Sequence, residues 1–599
     1  MQNIFLDIEV YPEWWCVVGK IENRWIVITS ETSGWVKSIR SLKFDLLIIG
    51  YNIKGYDLRI LNGLCDGISP KSVYEISEAI INDTENIYNN YYYWNKFVFL
   101  DLYDDFAGSL KEFESNKGMS IRETSVPFGK RNLTQVEKEE IIEYCKHDVE
   151  AVEVLFNSRK DYISAKLKLA EMFDINTNTC YKSTNAKMVA LILGGEGRYI
   201  PQSSAFIIPE NVREYVESNV PKDVLKEFEY FKDDDDEDKT VEFNLFGNVV
   251  IFGSGGIHSS IGDNIIGMSD ENNLLIDIDV TSYYPNLIMK FDYMSRNANN
   301  GKLYREIYDL RLKLKSEMNK ENETNGKTPL YYDLSLQQNA LKLVLNTTYG
   351  TMKNKYSKLY DKEMGSSVCY LGQLLLVSLA NKLSSCSTVI QTNTDGILIK
   401  VSKDNVQQVK TLVEEWESLT DMKMEWDNIK VFVQKDVNNY INIEANGKSK
   451  LKGRWGNQAD AKYVEQKIPN LNAPITHVAL VNYYVNGTPI EDTINNCNNI
   501  LDFCFTTKMG HHYKKVLHYI NDEPVELNKV NRVIATTKQE YGTLKKLKYE
   551  DDGTLRYDKI SEIPVHSYIL NDLPEMIDHL DRQWYIDFTK NKIKEMVIV

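Results

Sequence analysis

Apolar and polar residues alternate along 275–281, so that Ile276, Ile278 and Val280 face one way and Asp277, Asp279 and Thr281 the other. A period of two predicts a strand with one buried and one polar face. Ser282, Tyr283, Tyr284 and Pro285 follow, and the residue before a proline is pushed to extended geometry. A carboxylate at such a strand end is costly unless a cation neutralises it. The first ten residues repeat the theme, with Ile4, Leu6, Ile8 and Val10 on one face and Asp7 and Glu9 two apart on the other. Two acids side by side on a strand repel each other, and a divalent cation relieves that repulsion. The apolar run 46–49 predicts another strand, one that leads through Asn52 and ends in Asp57. Between Val389 and Ile399 two apolar strands flank the polar turn 393–396, the pattern of a β-hairpin.

Other stretches change to helical spacing. Over 134–156, Ile141, Tyr144, Cys145, Asp148 and Val152 recur at threes and fours, which makes Tyr144 and Asp148 neighbours on one face. A helix over 301–320 sets Arg311 and Lys315 four apart, a polar loop covers 321–329, and 335–338 reads as a capping box opening a second helix. On that second helix Lys342, Asn346 and Tyr349 share a face, closed by Gly350. The glycine-rich stretch 252–258 favours a turn or a flexible hinge.

A chain of 599 residues is too long for one core and predicts about three to five domains. The net charge of −16 argues against a protein that merely coats nucleic acid, whose affinity comes from neutralising phosphates. It leaves room for a local basic track, and positive charge is concentrated in 342–362 and 448–454, whereas 233–238 is an acidic run that reads as a solvated loop. Eight scattered cysteines with no CxxC pair point to reduced core thiols rather than a zinc module or disulfide framework. No apolar run approaches the ~18 residues of a membrane span, and the N-terminus enters a strand without a basic leader, so a cytoplasmic protein is expected.

Taken in order, Asp7-x-Glu9, Asn52-x-x-x-Tyr56-Asp57 and Tyr144-x-x-x-Asp148 resemble the three motifs of the 3′–5′ proofreading exonuclease domain of family B DNA polymerases. The resemblance implies an RNase H-like fold in which Asp7, Glu9, Asp57 and Asp148 hold two metal ions. Tyr144 would orient the attacking water, and Asn52 would contact the single-stranded 3′ end. Downstream, Asp279, Ser282, Tyr284 and Pro285 resemble the polymerase motif DxxSxYP, with Tyr283 where the family has Leu. Lys342, Asn346, Tyr349 and Gly350 resemble KxxxNxxYG, with Thr347 replacing Ser, and Asn393-Thr394-Asp395-Gly396 resembles DTDS.

By this resemblance Asp279 and Asp395 hold two Mg²⁺ ions, with Mn²⁺ able to substitute. Tyr284 is the wall against the sugar of an incoming deoxynucleoside triphosphate, beside Ser282, Tyr283 and Asn346. Arg311, Lys315 and Lys342 meet its phosphates, since a triphosphate needs several fixed cations. Tyr349, Gly350 and Lys452 contact DNA; Gly255 and Gly256 resemble a Tyr-x-Gly-Gly element that joins exonuclease to palm and touches single-stranded DNA. Lys435 and Tyr440 loosely resemble a Lys-x-Tyr element that grips the primer–template. Asn393 removes one charge from the site, at the less essential ligand position, so activity is expected to survive.

The implied fold class is a mixed α+β and α/β multidomain chain: an RNase H-like exonuclease over 1–160, a connecting region over 161–265, and a right-hand polymerase. Palm is expected over 266–300 and 356–440, fingers over 301–355, and thumb over 441–599, where 582–585 pack the last helix. Partners would be primer–template DNA, dNTPs, a single-stranded DNA 3′ end at the exonuclease site and accessory proteins of replication, with no membrane. The compact arrangement, with little before the exonuclease and no zinc-binding module after the thumb, resembles bacteriophage enzymes working in the host cytoplasm. Protein-primed members carry a long insertion between the first two polymerase motifs, for which the 63 residues (342 − 279) leave no room. A nuclease with an inactive polymerase body, marked by Asn393, is the other alternative.

Overall fold

The computed structural model describes residues 1–599 apart from 44, 83–96, 107, 202–205, 231–238, 454–470, 511, 551–552, 561 and 575–576. The acidic run 233–238 and Arg454 of the basic run therefore lie outside the described residues.

Near the N-terminus, β1 (Gln2–Tyr11), β2 (Trp14–Ile21), β3 (Arg24–Thr29), β4 (Leu46–Gly50) and β5 (Phe99–Asp101) form a sheet in the order β3-β2-β1-β4-β5. β1 is antiparallel to β2 and parallel to β4, so it is paired on both edges and covered on both faces. Ile4, Leu6, Ile8 and Val10 pack with Leu58 and Leu61 of helix α1 (Asp57–Asp66). Phe5 and Tyr11 pack with Cys145 and Val149 of helix α3 (Gln135–Ser158), which starts at a capping box between Thr134 and Glu137. Asp7 and Glu9 share this second face, so they are pressed toward α3. Between them in the chain, helix α2 (Leu110–Lys117) is a third contributor to this layer.

Asp57 does not end a strand. The strand stops at Gly50, and Asp57 opens α1 instead. The buried carboxylate of Asp101 accepts the backbone N–H groups of Asn52 (2.8 Å) and Lys54 (3.0 Å), and Asn52 is left-handed at φ 57°, which together turn the chain. A carboxylate in the first turn of a helix also complements the helix dipole.

The second sheet has 11 strands among the described residues. Its centre is β10 (Asn273–Val280), with β12 (Gly396–Ser402) on one side and β13 (Met424–Asp436) on the other. Beyond β12 lie β11 (Thr388–Thr392), β8 (Gly256–Ser260), β7 (Asn248–Gly253) and β6 (Thr240–Leu245); beyond β13 lie β14 (Asn439–Glu444) and β15 (Ser449–Leu451). β9 (Ile265–Met268) also pairs with β13. The sheet thus draws on segments outside 266–300 and 356–440. The reason is that the hairpin from 240 to 260 pairs with β11 and supplies further apolar surface, including Val250, Phe252 and Ile257, to the main core.

That core is closed by α4 (Tyr283–Lys290), α7 (Lys362–Leu383) and α8 (Val406–Thr420). α7 is long and apolar enough to cross a membrane, but 89% of that stretch is buried inside the fold, the signature of a core helix. Two long helices, α5 (Leu303–Asn325) and α6 (Pro329–Lys353), form an antiparallel pair beside it. The turn between them is shorter than 321–329, and Ser335 lies inside α6 rather than at its start. Thr328 caps α6 through the N–H of Tyr331, and Pro329 at the first position presets the helical φ, so these two residues outcompete the later capping pattern.

The C-terminal region is not separate from the large sheet. β14 and β15 belong to that sheet, and β19 (Val597–Ile598) returns to pair with β9. Between them β16 (Phe505–Lys508), β17 (Val530–Ala535) and β18 (Ser567–Ile569) form a three-stranded sheet, packed under α9 (Arg582–Lys594) by the buried Tyr585. Thr328→Ala should cost about 1 kcal/mol of local stability at the start of α6, read as ~5-fold faster hydrogen exchange at Tyr331 and Tyr332; Ser335→Ala should leave those amides unchanged.

Candidate active sites

The first site is a cavity of about 820 Å³ whose lining includes Asp7, Glu9, Asn52, Asp57 and Asp148. Ligand oxygens of Asp7, Glu9 and Asp148 all lie within 4.8 Å of one another. Asp57 stands beside this trio: its carboxyl is pushed well up, first by burial and then by Asp7, and its Oδ1 has no hydrogen-bond partner. Burial also raises Asp7, and burial followed by the charge of Asp7 raises Glu9 well above the ordinary range. Asp148 is pushed up to about 7, chiefly by burial and against the opposing pull of Lys111. Four clustered acids, Asp57 and Asp148 buried and Asp7 and Glu9 half-buried, with one unmatched oxygen fit hard divalent cations, which take carboxylate oxygens.

Lys111 of α2 was not legible in the sequence as part of this site. Its Nζ lies 2.5 Å from Asp148 Oδ1, 3.0 Å from Glu114 Oε1 and 4.9 Å from the ring centre of Tyr144. Cys145 donates its thiol to Asp7 Oδ2 at 3.0 Å. Tyr144 is thus placed one turn before Asp148, with its hydroxyl kept protonated first by burial and then by the charge of Asp148.

The second site is at the centre of the large sheet. Asp279 of β10 faces Gly396 of β12 in register, and the N–H of Val280 donates to the carbonyl of Asp395 at 2.7 Å. A Cβ at residue 396 would lie 1.8 Å from Asp279 Oδ1, so only glycine lets the two strands carry this acid here. Burial, then Asp279, raises the Asp395 carboxyl. Lys450 of β15 donates to Asp279 Oδ2 at 2.9 Å and lies 3.8 Å from Asp277 Oδ2. Asp277 is pushed up to about 7 by burial and then by Asp279, and it accepts a hydrogen bond from Asn442. Lys452 adds positive potential at Asp395. Asn393 is tied into a neutral network, donating to Gln391 Oε1 and to the Tyr440 hydroxyl. Lys435 pairs with Glu562 at 3.4 Å.

Above these acids the rings of Tyr284 and Tyr349 meet at 4.6 Å between centroids. Their hydroxyls donate to the carbonyls of Gly255 (3.4 Å) and Ser254 (2.9 Å). Gly255 and Gly256 are therefore not a hinge between domains. They form the tight β7–β8 turn, and Gly256, at φ 128°, packs so closely on Thr394 that a Cβ would come within 2.7 Å of its hydroxyl. Tyr283 also departs from expectation: it is 3% exposed, donates to the carbonyl of Gly372 and packs near Trp416. Its side chain fills the core, because a residue one position from Tyr284 on a helix points elsewhere. Ser282 occupies the left-handed cap of α4 at φ 51° without a side-chain capping bond.

Lys342 on α6 meets Arg311 and Lys315 on α5. Partial burial and the charges of those two residues lower the Lys342 ammonium pKa. Burial lowers the guanidinium of Arg311, whose Nε has no hydrogen-bond partner. Three mutually repelling cations on the facing helices α5 and α6 are suited to a polyanion. Asn346 and Gly350 are exposed along the same helix.

Residues 292–444 match the family model for DNA polymerase family B. About a quarter of the chain is therefore similar to family B DNA polymerases. The matched segment contains Lys342, Tyr349 and Asp395. The chain is 28% identical over 177 residues to the DNA polymerase alpha catalytic subunit of Mus musculus, covering 24% of this chain and 12% of that protein. It is 26% identical over 153 residues to DNA polymerase 2 of Aeropyrum pernix, covering 25% of this chain and 19% of that protein. The matched region thus spans under a fifth of each relative. A solved family B DNA polymerase from the archaeon Pyrobaculum calidifontis aligns with 99% of this chain and 78% of that chain, at a TM-score of 0.41 and 14% identity.

Two outcomes are expected from this geometry. Asp148 binds a proton in the folded state up to about pH 7, whereas the unfolded group has lost it above its model value of 3.8. Stability from this group is therefore present at low pH and is lost as pH rises through that window. Mg²⁺ or Mn²⁺ should consequently raise the melting temperature more at pH 8 than at pH 5, and Asp148→Asn should reduce that difference. Gly396→Ala should displace Asp279 and lower any nucleotide incorporation by about 100-fold in primer extension while leaving hydrolysis at the first site intact.

Proposed function

We propose that this chain performs template-directed DNA synthesis from dNTPs onto a primer 3′-hydroxyl, with 3′–5′ exonucleolytic proofreading at the N-terminal acidic cleft. The observation that carries the reading is the pairing of Asp279 with Gly396 at the β11–β12 turn, a turn that lies in the segment similar to family B polymerases, together with the Tyr284–Tyr349 pair and the cations Arg311, Lys315 and Lys342. The sequence spacing of the motifs, with no room for a protein-priming insertion, favours a nucleic-acid-primed enzyme, and by resemblance we assign it to bacteriophage replication in the host cytoplasm.

Asp279 and Asp395 would hold Mg²⁺, or Mn²⁺ in its place, in one site, and Asp7, Glu9, Asp57 and Asp148 would hold it in the other. The chemistry it supplies when bound is charge neutralisation at the reacting oxygens. Around it the protein residues position the reactants. Tyr284, fixed by Tyr349 and by its bond to the β7–β8 turn, presents a rigid wall on which the sugar of a dNTP rests, disfavouring a 2′-hydroxyl. Arg311, Lys315 and Lys342 hold the triphosphate, and the α4 N-terminus offers backbone N–H groups to the same anion. Attack by the primer oxygen on the α-phosphorus then runs in line with the departing pyrophosphate. Closure of α5 and α6 over the nucleotide excludes water. Lys452 and Gly350 line the DNA path, and Asn52 the path of the frayed 3′ end.

In the N-terminal cleft, Tyr144 orients a water toward the terminal phosphodiester, and Lys111 keeps Asp148 in place. Asn393 supplies a neutral hydrogen-bond donor where a second acid would add repulsion next to Asp395, so incorporation persists. Primer extension separates the two activities: Asp279→Ala should abolish incorporation and retain shortening of the primer, and Asp7→Ala should do the opposite. Loss of both activities in one folded variant would refute the two-site assignment, and shortening without incorporation in the wild type would leave only a nuclease.

A further inference from the structure

The helix that carries Lys111 is tied at both ends to the C-terminal region. Arg532, on β17, is fully buried, and among the described residues its hydrogen bonds go to carbonyls. Its Nη2 donates to Glu114 (3.1 Å), Ser115 (2.9 Å) and Met119 (2.7 Å), at the C-terminal end of α2, and Nη1 donates to Leu570 and Asn571 of the C-terminal region. A guanidinium has five N–H donors in a rigid fork, so one side chain can span both segments. A cation at this position also matches the negative end of the helix dipole. At the other end of α2, Lys508 of β16 lies 2.9 Å from Glu112, the residue that closes the helix's capping box with Ser109. Ser115 and Thr506 add a hydroxyl contact of 2.7 Å.

Among the described residues no other side chain donates to the carbonyls at the C-terminal end of α2, and the helix projects Lys111 onto Asp148. We propose that Arg532, seconded by Lys508, is a positioning residue for the N-terminal cleft: the C-terminal region sets the rotation of α2, and through Lys111 and Glu114 it sets the placement of Asp148. This rests on the reading of that cleft as the trimming site. It makes trimming dependent on a region more than 400 positions away in the chain (532 − 111), and it gives the C-terminal region a means of biasing one site without touching the other.

The test compares the full-length wild type with Arg532→Lys, which keeps the charge but loses the fork, and with the half-exposed Lys508→Ala, which leaves the buried contacts intact. Each is assayed with Mg²⁺ for shortening of a single-stranded oligonucleotide, for primer extension, and, without metal or DNA, for hydrogen exchange along α2. Arg532→Lys should lower the kcat for shortening about tenfold and Lys508→Ala about threefold, with KM and primer extension within about twofold and with faster exchange confined to α2 and its contacts. Wild-type rates of shortening in both variants would overturn the inference alone, and so would an equal loss of both activities accompanied by faster exchange throughout. A wild type that extends primers but never shortens them would instead remove the reading of the cleft on which the inference rests.

Discussion

A lysine ammonium on a carboxylate of a crowded acidic cluster, buried at Asp148 and half-buried at Asp279, is the interaction on which both sites depend. Asp148 bears Lys111 and Asp279 bears Lys450, at 2.5 and 2.9 Å, and in each case the acid has further acids for neighbours. Without the lysine, each cluster would set like charges together away from water, a cost that folding cannot ordinarily meet. The lysine offsets part of that repulsion but not all of it, so burial and neighbouring acids still lift Glu9, Asp57 and Asp277 out of the ordinary carboxylate range. The clusters are therefore folded yet electrostatically unsatisfied, which is the condition of a site made to receive cations.

What supports these clusters differs between the two sites. In the N-terminal sheet the acids lie on a central strand covered on both faces, so register alone presses Asp7 and Glu9 against α3. In the large sheet the acids lie near the strand ends, where a glycine at 396 opens the space and the β7–β8 turn packs onto Thr394. The tyrosine pair is fixed to that same turn through two carbonyls. One hairpin thus braces both the acidic turn and the aromatic wall, and a shift of it would be felt by both.

Much of this was legible in the sequence, and the rest was not for identifiable reasons. Strand periodicity located β1 and β10, because alternation is a local property, and the 3.6-residue period located α3 within two residues of its ends. Asp57 was misplaced because its turn is made by Asp101, 44 residues later, whose carboxylate captures two backbone N–H groups. The start of α6 was misplaced because two capping signals compete and only geometry ranks them. Tyr283, at the position where the family has Leu, was expected beside the nucleotide with Tyr284, and only its hydrogen bond to Gly372 and its packing near Trp416 place it in the core. Lys111 and Arg532 carried no local signal, and Lys450 was visible only as one member of the basic run 448–454, since each acts on a partner brought near by tertiary folding.

The return of β19 to β9 has a consequence for how the molecule is made. Val597 and Ile598 pair with Ile265 and Ile266, and the Lys400 ammonium donates to the carbonyl of Val599. During translation, β9 must wait with an open edge while more than half of the chain is still being synthesised, and an open strand edge is an invitation to pair with the wrong partner. Ribosome-bound intermediates would carry that unpaired edge until Val597 and Ile598 emerge, which makes this edge a natural point for a chaperone to guard.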